Sequence, residues 1–127
     1  MRSLNRLLAA GLVLAAAHAH GEERSPSLRL LVQEAPLAGY RYAGASEVWP
    51  LLRVGDRLEL SREPDNPHDA NAVRVEWRGR KLGYVPRRDN AALAWGLDRG
   101  EPLRARITRL EPHLNPARRV RFEVYIE

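Results

Sequence analysis

Short alternations of apolar and polar residues run through most of the chain, separated by turns rich in Gly, Pro, Asn and Asp. "LRLLVQE" places Leu28, Leu30 and Val32 on one face, and "GYRYAG" places Tyr40 and Tyr42 opposite Arg41. "RLELSRE" alternates Leu58 and Leu60 with polar partners, and "NAVRVEW" sets Val73, Val75 and Trp77 against Arg74 and Glu76. "KLGYVP" puts Leu82 and Tyr84 together, and "LRARITRL" sets Leu103, Ala105 and Ile107 against Arg104, Arg106 and Thr108. The last segment, "RVRFEVYIE", alternates Val120, Phe122, Val124 and Ile126 with Arg121, Glu123 and Tyr125. A period of two with one charged face is the mark of antiparallel strands buried on one side. One segment, Arg88 to Gly100, breaks the period: Leu93 and Leu97 are four apart with alanines between them. Asp89 or Asn90 can cap a helix there and Gly100 can end it. Ser46 to Leu52 predicts a short turn or helix halted by Pro50. The pattern predicts a mainly β fold, a small β-barrel of six or seven strands with one or two short helices.

The first residues follow a different rule. Arg2 and Arg6 precede the apolar run "LLAAGLVLAAA", and Ala17-His18-Ala19 follows it. This is the layout of a signal peptide over 1–19, and the run is short for a membrane span. Residues 20–27 read as a flexible leader, and 28–127 as one domain. The mature protein is expected to be periplasmic or secreted, monomeric and without a stable membrane anchor. Cleavage would remove Arg2 and Arg6, leaving 19 basic against 16 acidic residues, a net charge of +3. That balance is mildly basic, unlike a histone's. Lys81 is the only lysine; every other basic residue is arginine. The chain has no cysteine, which excludes disulfides, a thiolate metal site, a cysteine nucleophile and a lipoprotein anchor.

The chemistry gathers in "REPDNPHDANAVRVE", Arg62 to Glu76, between two predicted strands. Asp and Asn bond readily to nearby backbone, so a structured turn accounts for Asp65, Asn66 and Pro67. It accounts less well for His68 and Asp69 together with Asn71. Asp65, His68 and Asp69 can be read as metal ligands, but one histidine on one loop is a weak signal. An EF-hand loop started at Asp69 lacks the sixth-place glycine and puts Arg80 where the bidentate glutamate belongs. No Gly-x-Ser-x-Gly elbow, Walker loop or His-Glu-x-x-His is present. No cofactor is expected.

"LELSREPDNPHDANAVRVEWRGRKLGYVPRRDNAALAWGLDRG" resembles a HIRAN domain. The "REPDNPHDANAV" block, the "LGYVPR" strand end and the "NAALAWGLDRG" helix followed by "LRARI" come in the family's order, and "LAGYRYAG" is similar to its first aromatic motif. The resemblance covers about Leu28 to Glu127. It implies an OB-like β-barrel that grips the 3′-hydroxyl end of single-stranded DNA. In that mode bases stack on aromatics, an aspartate meets the terminal hydroxyl, and basic groups hold phosphate.

Carried onto this chain, the resemblance makes Tyr42 a stacking residue. Arg41 stands where the family has a second tyrosine and Tyr40 where it has arginine, so their roles are exchanged. Asn66 and Asp69 match the loop pattern, with Asp69 at the terminal hydroxyl. His68 replaces a tyrosine and offers less stacking area. Tyr84 is a further ring, and Arg87 or Arg88 reaches phosphate. Simpler readings stand beside these: Tyr40 and Tyr84 as core residues, Trp77 and Trp95 packed in the core or under the helix, Trp49 anchoring a loop.

Three functions follow in order. The first is a nucleic-acid-binding module, not an enzyme, that takes single-stranded DNA 3′ ends. The alternative is a protein-interaction or small-ligand module of the cell envelope, which export favours. The last is a metal-dependent hydrolase built on Asp65, His68 and Asp69.

Overall fold

A computed structural model describes residues 30–127. The expected signal peptide and leader lie outside the described residues. Six strands form one antiparallel sheet: β1 (Leu30–Pro36), β2 (Arg57–Arg62), β3 (Val73–Trp77), β4 (Arg80–Tyr84), β5 (Leu103–Leu110) and β6 (Val120–Ile126). Their order is β1-β6-β5-β2-β3-β4. Two helices, α1 (Ala45–Val48) and α2 (Ala91–Asp98), and four single 3-10 turns complete the fold. Among the described residues no helix is long and apolar enough to cross a membrane.

The expected OB-like barrel appears as a sheet that does not close into a continuous ladder. One isolated bridge spans the gap. Ala38, just past β1, exchanges both backbone hydrogen bonds with Tyr84 at the end of β4, at 2.9 and 2.8 Å. Gly83 makes this approach feasible: a Cβ there would lie 2.1 Å from the Ala38 carbonyl oxygen. The β3–β4 hairpin turns through Arg78 and Gly79, at φ 48° and 80°. Positive φ at both central residues gives the twist that joins two antiparallel strands with the shortest loop.

Inside the sheet lie Leu58, Val73, Val75, Trp77, Leu82, Val120, Phe122 and Val124, all 4% exposed or less. Each large apolar side chain buried this way stabilises the fold by about 1.5–3 kcal/mol. Trp77 satisfies its indole N–H on Asp56 Oδ2 at 3.0 Å, so burial of the ring costs no unpaired donor.

Three bulges correct the simple alternation. In β1, Leu31 pairs with Tyr125 and Gln33 with Val124, so Val32 is an inserted residue. An insertion moves the buried face to the other parity. Ala35 and then Leu37 point inward, while Leu30, Leu31 and Val32 stay exposed. In β4, Leu82 is inserted between Lys81 and Gly83 opposite β3. Lys81 and Tyr84, three apart, therefore share the outer face, and Tyr84 does not join Leu82 in the core. In β5, Thr108 is inserted opposite the step from Phe122 to Arg121. Arg109 then faces out, and Leu110 returns to the core side.

"GYRYAG" is not a strand. Tyr40–Tyr42 is a 3-10 turn between Gly39 and Gly44, which adopt φ 73° and 77°. Two residues along a 3-10 helix differ by about 240° around its axis. Tyr40 is accordingly buried, whereas Tyr42 is 85% exposed. At the other predicted helix, Leu93 and Ala94 are buried and Gly100 closes the end. Gly100 N–H donates to the Leu97 carbonyl and Glu101 N–H to Gly96, a Schellman ending. Trp95, expected in the core or under the helix, is instead 56% exposed. Pro50 does not halt α1; it lies within the 3-10 turn Trp49–Leu51 that continues it.

Candidate functional site

The loop between β2 and β3 is a chain of tight turns. Asn66 N–H donates to the Glu63 carbonyl, Asp69 to Asn66, and Ala72 to Asp69, at 3.0, 3.3 and 3.1 Å. Glu63 N–H returns to the Ala72 carbonyl at 3.0 Å and closes the set. Side chains reinforce it. Asn66 Oδ1 accepts from His68 N–H and Asp69 Oδ1 from Asn71 N–H, both at 2.9 Å. These two Asx turns are why Asn and Asp occupy those places. Pro64 and Pro67 add fixed φ between them. The loop is thus a rigid frame, and its outward groups are held in place rather than sampled.

Asp69 lies at one wall of a pocket of about 250 Å³, together with Ala38, Asn66, His68, Tyr84 and Arg87. Its Oδ2 accepts from the Asn90 side-chain amide at 2.7 Å. The Arg87 guanidinium stands 3.7 Å away. The backbone bond from Asn71, then the Asn90 amide, then the nearby Arg87 and Arg62 charges hold the Asp69 carboxyl below its ordinary pKa. Asp69 is therefore ionised at neutral pH. A carboxylate has about four acceptor sites, and Asn71 and Asn90 take one on each oxygen. Capacity remains for a donor arriving through the pocket.

Tyr84 forms the facing wall. Its hydroxyl donates to Glu63 Oε1 at 2.8 Å and accepts from Lys81 Nζ at 2.6 Å. Lys81 Nζ also sits 4.3 Å from the ring centroid. Asn66 Nδ2 donates to the same Glu63 oxygen at 3.1 Å. Partial burial pushes the Glu63 carboxyl up, but the bonds from Tyr84 and Asn66, with Lys81 and Arg74 nearby, outweigh it and leave the pKa lowered. This network fixes the Tyr84 ring. Arg87 extends over the loop and donates to the His68 carbonyl, leaving guanidinium donors toward solvent.

Asn66, His68, Asp69, Tyr84 and Arg87 are therefore brought together. The other sequence candidates are placed elsewhere. Tyr40 is buried, edge-on to Trp49 with ring centroids 6.3 Å apart, and Arg119 lies 5.1 Å from its ring centre. Arg41 and Tyr42 project from the turn that packs beside β4. Arg88 points into a different cleft, lined also by Arg109, Arg118 and Arg121. Asp65, His68 and Asp69 do not converge: among the described residues no three His, Asp or Glu side chains form a metal-ligand set.

Asn90, Glu63 and Lys81 complete the site and were not picked out from the sequence. Asn90 stands at the start of α2, where a capping role is the natural reading. Neither it nor Asp89 caps the helix with its side chain. Asn90 is instead 2% exposed, with its amide turned to Asp69.

Comparisons with known proteins agree with this architecture. The HIRAN domain model matches residues 30–127. The crystal structure of a protein from Lactobacillus plantarum superposes with a TM-score of 0.67 and 26% identity, covering 78% of this chain and 95% of that one. The crystal structure of the HIRAN domain of human HLTF superposes with a TM-score of 0.61 and 20% identity, covering 77% of this chain and 78% of that one, a likeness of fold. A search of the curated proteins found no match. With a family model spanning every described residue and a sheet of matching architecture, the chain belongs to the HIRAN domain family.

Proposed function

We propose that this HIRAN domain binds nucleic acid and takes the 3′-hydroxyl end of single-stranded DNA in the Asp69 pocket. It is a binding module and not an enzyme. One observation carries the reading: an ionised acceptor, Asp69, stands 3.7 Å from a cation, Arg87, whose remaining donors face solvent. The complementary ligand donates a hydrogen bond at one point and carries a negative charge a few ångströms away. A terminal nucleotide does both, through its 3′-hydroxyl and its 5′-side phosphate. A terminal 3′-phosphate would instead meet the carboxylate with like charge. The Tyr84 and His68 rings at the pocket wall, and the exposed Tyr42 on the turn that packs against β4, offer faces on which any base can stack.

Binding of matched 3′-hydroxyl and 3′-phosphate oligonucleotides tests this directly. The hydroxyl end is expected to bind tighter, and Asp69→Ala to narrow the gap by roughly tenfold. Equal binding of both ends by the parent protein, with Asp69→Ala still folded, would make the loop a turn and nothing more.

Export belongs to the same proposal. Cleavage after Ala19 would place the domain in the envelope or outside the cell, where its DNA would be imported or extracellular. N-terminal sequencing of the protein recovered from each fraction decides it. An intact Met1 on cytoplasmic protein would remove the localisation.

A further inference from the structure

A second hollow is lined from the same two segments, Pro36–Ala38 and the Arg87–Asp89 turn, that contribute to the first. It has a volume of about 390 Å³ and is lined by Pro36, Arg88, Arg109, Glu111, Arg118 and Arg121. None of these residues lines the Asp69 pocket, although the sequence offered Arg88 as an alternative to Arg87 for holding phosphate. The hollow's charge is placed against the usual preference of a sheet. The bulge at Thr108 sets Arg109 directly opposite Arg121 on the paired strands β5 and β6. Like charges facing across a ladder destabilise it.

The compensation is loose. Glu111 lies 3.6 Å from Arg109, Glu34 3.7 Å from Arg121, and Asp89 3.6 Å from Arg88, all beyond good hydrogen-bond distance. Among the described residues Arg118 has no carboxylate within ion-pair reach. Two arginines elsewhere show what close pairing looks like: Arg62 meets Asp98 at 3.0 Å and Arg106 meets Glu123 at 2.5 Å. Four guanidinium groups with uncommitted donors around one hollow suit oxyanions that accept two parallel hydrogen bonds.

Position gives the ligand's identity. Arg87 lines the Asp69 pocket and the next residue, Arg88, lines the arginine cleft. Pro36 lines the cleft and Ala38, two residues on, lines the pocket. A strand whose last nucleotide sits against Asp69 passes Arg87 and meets Arg88 next. We infer that the cleft formed by Arg88, Arg109, Arg118 and Arg121 holds the phosphodiester backbone of the strand, upstream of the end held at Asp69. This rests on the end-binding reading. It adds a length requirement that end recognition alone does not have.

The test compares a trinucleotide with a decanucleotide, both ending in 3′-hydroxyl, on the parent and on the Arg109→Thr/Arg118→Ala double variant. Each phosphate contact contributes roughly −0.7 to the slope of log K against log salt for single strands. The double variant is expected to lose about tenfold in decamer affinity at low salt and to show a slope shallower by about 1.4. Trinucleotide affinity and the preference for 3′-hydroxyl should stay as in the parent. The melting temperature should not fall, because the Arg109–Arg121 repulsion is relieved. A double variant with the parent's decamer affinity and slope overturns the cleft while leaving end recognition intact. A parent that binds the decamer without end preference, with the slope still shallower in the variant, supports the cleft and overturns the Asp69 reading. A parent that binds no DNA at low salt overturns both.

Discussion

Asn90 and Asp69 are 21 residues apart in sequence and 2.7 Å apart in the fold, amide nitrogen to carboxylate oxygen. Asn90 is the buried partner, so the bond ties the start of α2 to the pocket loop from beneath. Asn90→Ala should lower the melting temperature by roughly 5 °C, since a lost hydrogen bond costs on the order of 1 kcal/mol in a domain of this size. Asn90→Asp should be worse at neutral pH, because it sets two carboxylates together. One of the pair would then take a proton at raised pKa. Part of the loss should return on acidification, a recovery Asn90→Ala cannot show. Melting curves at pH 7 and pH 5 separate the two.

Glu63 and Asp69 are both held below their ordinary pKa values of 4.5 and 3.8 in the folded protein. The unfolded chain therefore takes up their protons first as pH falls. Their contribution to stability is fully present above about pH 5 and is lost as pH falls through the folded-state values. Glu63→Gln still offers an oxygen to Tyr84 but has no charge to titrate. It should flatten the decline in melting temperature between about pH 5 and pH 3. An acid limb as steep as the parent's would show that Glu63 does not contribute to it.

Tyr40 and Tyr42 should part company on mutation. Tyr40 is 4% exposed and packs against Trp49, so Tyr40→Ala should destabilise by about 3 kcal/mol or more. Tyr42 is 85% exposed and holds up nothing. Tyr42→Ala should leave the melting temperature within a degree or two and weaken single-stranded DNA binding by about 1–3 kcal/mol. The loss should be equal for 3′-hydroxyl and 3′-phosphate ends, because stacking does not sense the terminal group. Unfolding and titration of the two variants measure all four effects.

The readability of the chain follows from how local each signal is. Val73, Val75 and Trp77 alternate without interruption and are buried as the pattern says. Val120, Phe122 and Val124 are too. The pocket loop was legible because its Asx turns are made within two residues of Asn66 and Asp69. Val32, Leu82 and Thr108 were not legible as bulges. An inserted residue changes the buried parity while leaving the string of apolar letters intact, and only the partner strand reveals it. Tyr40–Tyr42 read as a strand because three residues cannot distinguish a period of two from a tight turn, and the left-handed glycines on either side decided it. Asn90 gave no signal, because its partner comes from a distant loop and its position also fits a helix cap.

Gly83 should be the least replaceable glycine of the site. A Cβ at this position would meet the Ala38 carbonyl oxygen at 2.1 Å and Leu37 side-chain atoms at 3.1 and 3.2 Å. The first of these is backbone and cannot turn aside, so Gly83→Ala must push Ala38 away from Tyr84. That breaks the two hydrogen bonds linking the ends of the sheet and opens the pocket wall they share. Overpacking of this kind costs about 1–3 kcal/mol, and loss of the bridge bonds adds to it. A fall of about 10 °C in melting temperature is expected. Gly79→Ala is the proper control. Gly79 has φ +80° with nothing within 4 Å of a new Cβ, so it meets only the backbone strain of about 1–2 kcal/mol. Amide exchange tells the two apart. In Gly83→Ala the Ala38 and Tyr84 amides should lose protection along with the preference for a 3′-hydroxyl end. In Gly79→Ala both amides should stay protected and end preference should persist. If Gly83→Ala keeps its protection pattern and its melting temperature, the bridge does not hold the sheet's two edges together, and the pocket must be maintained by the loop alone.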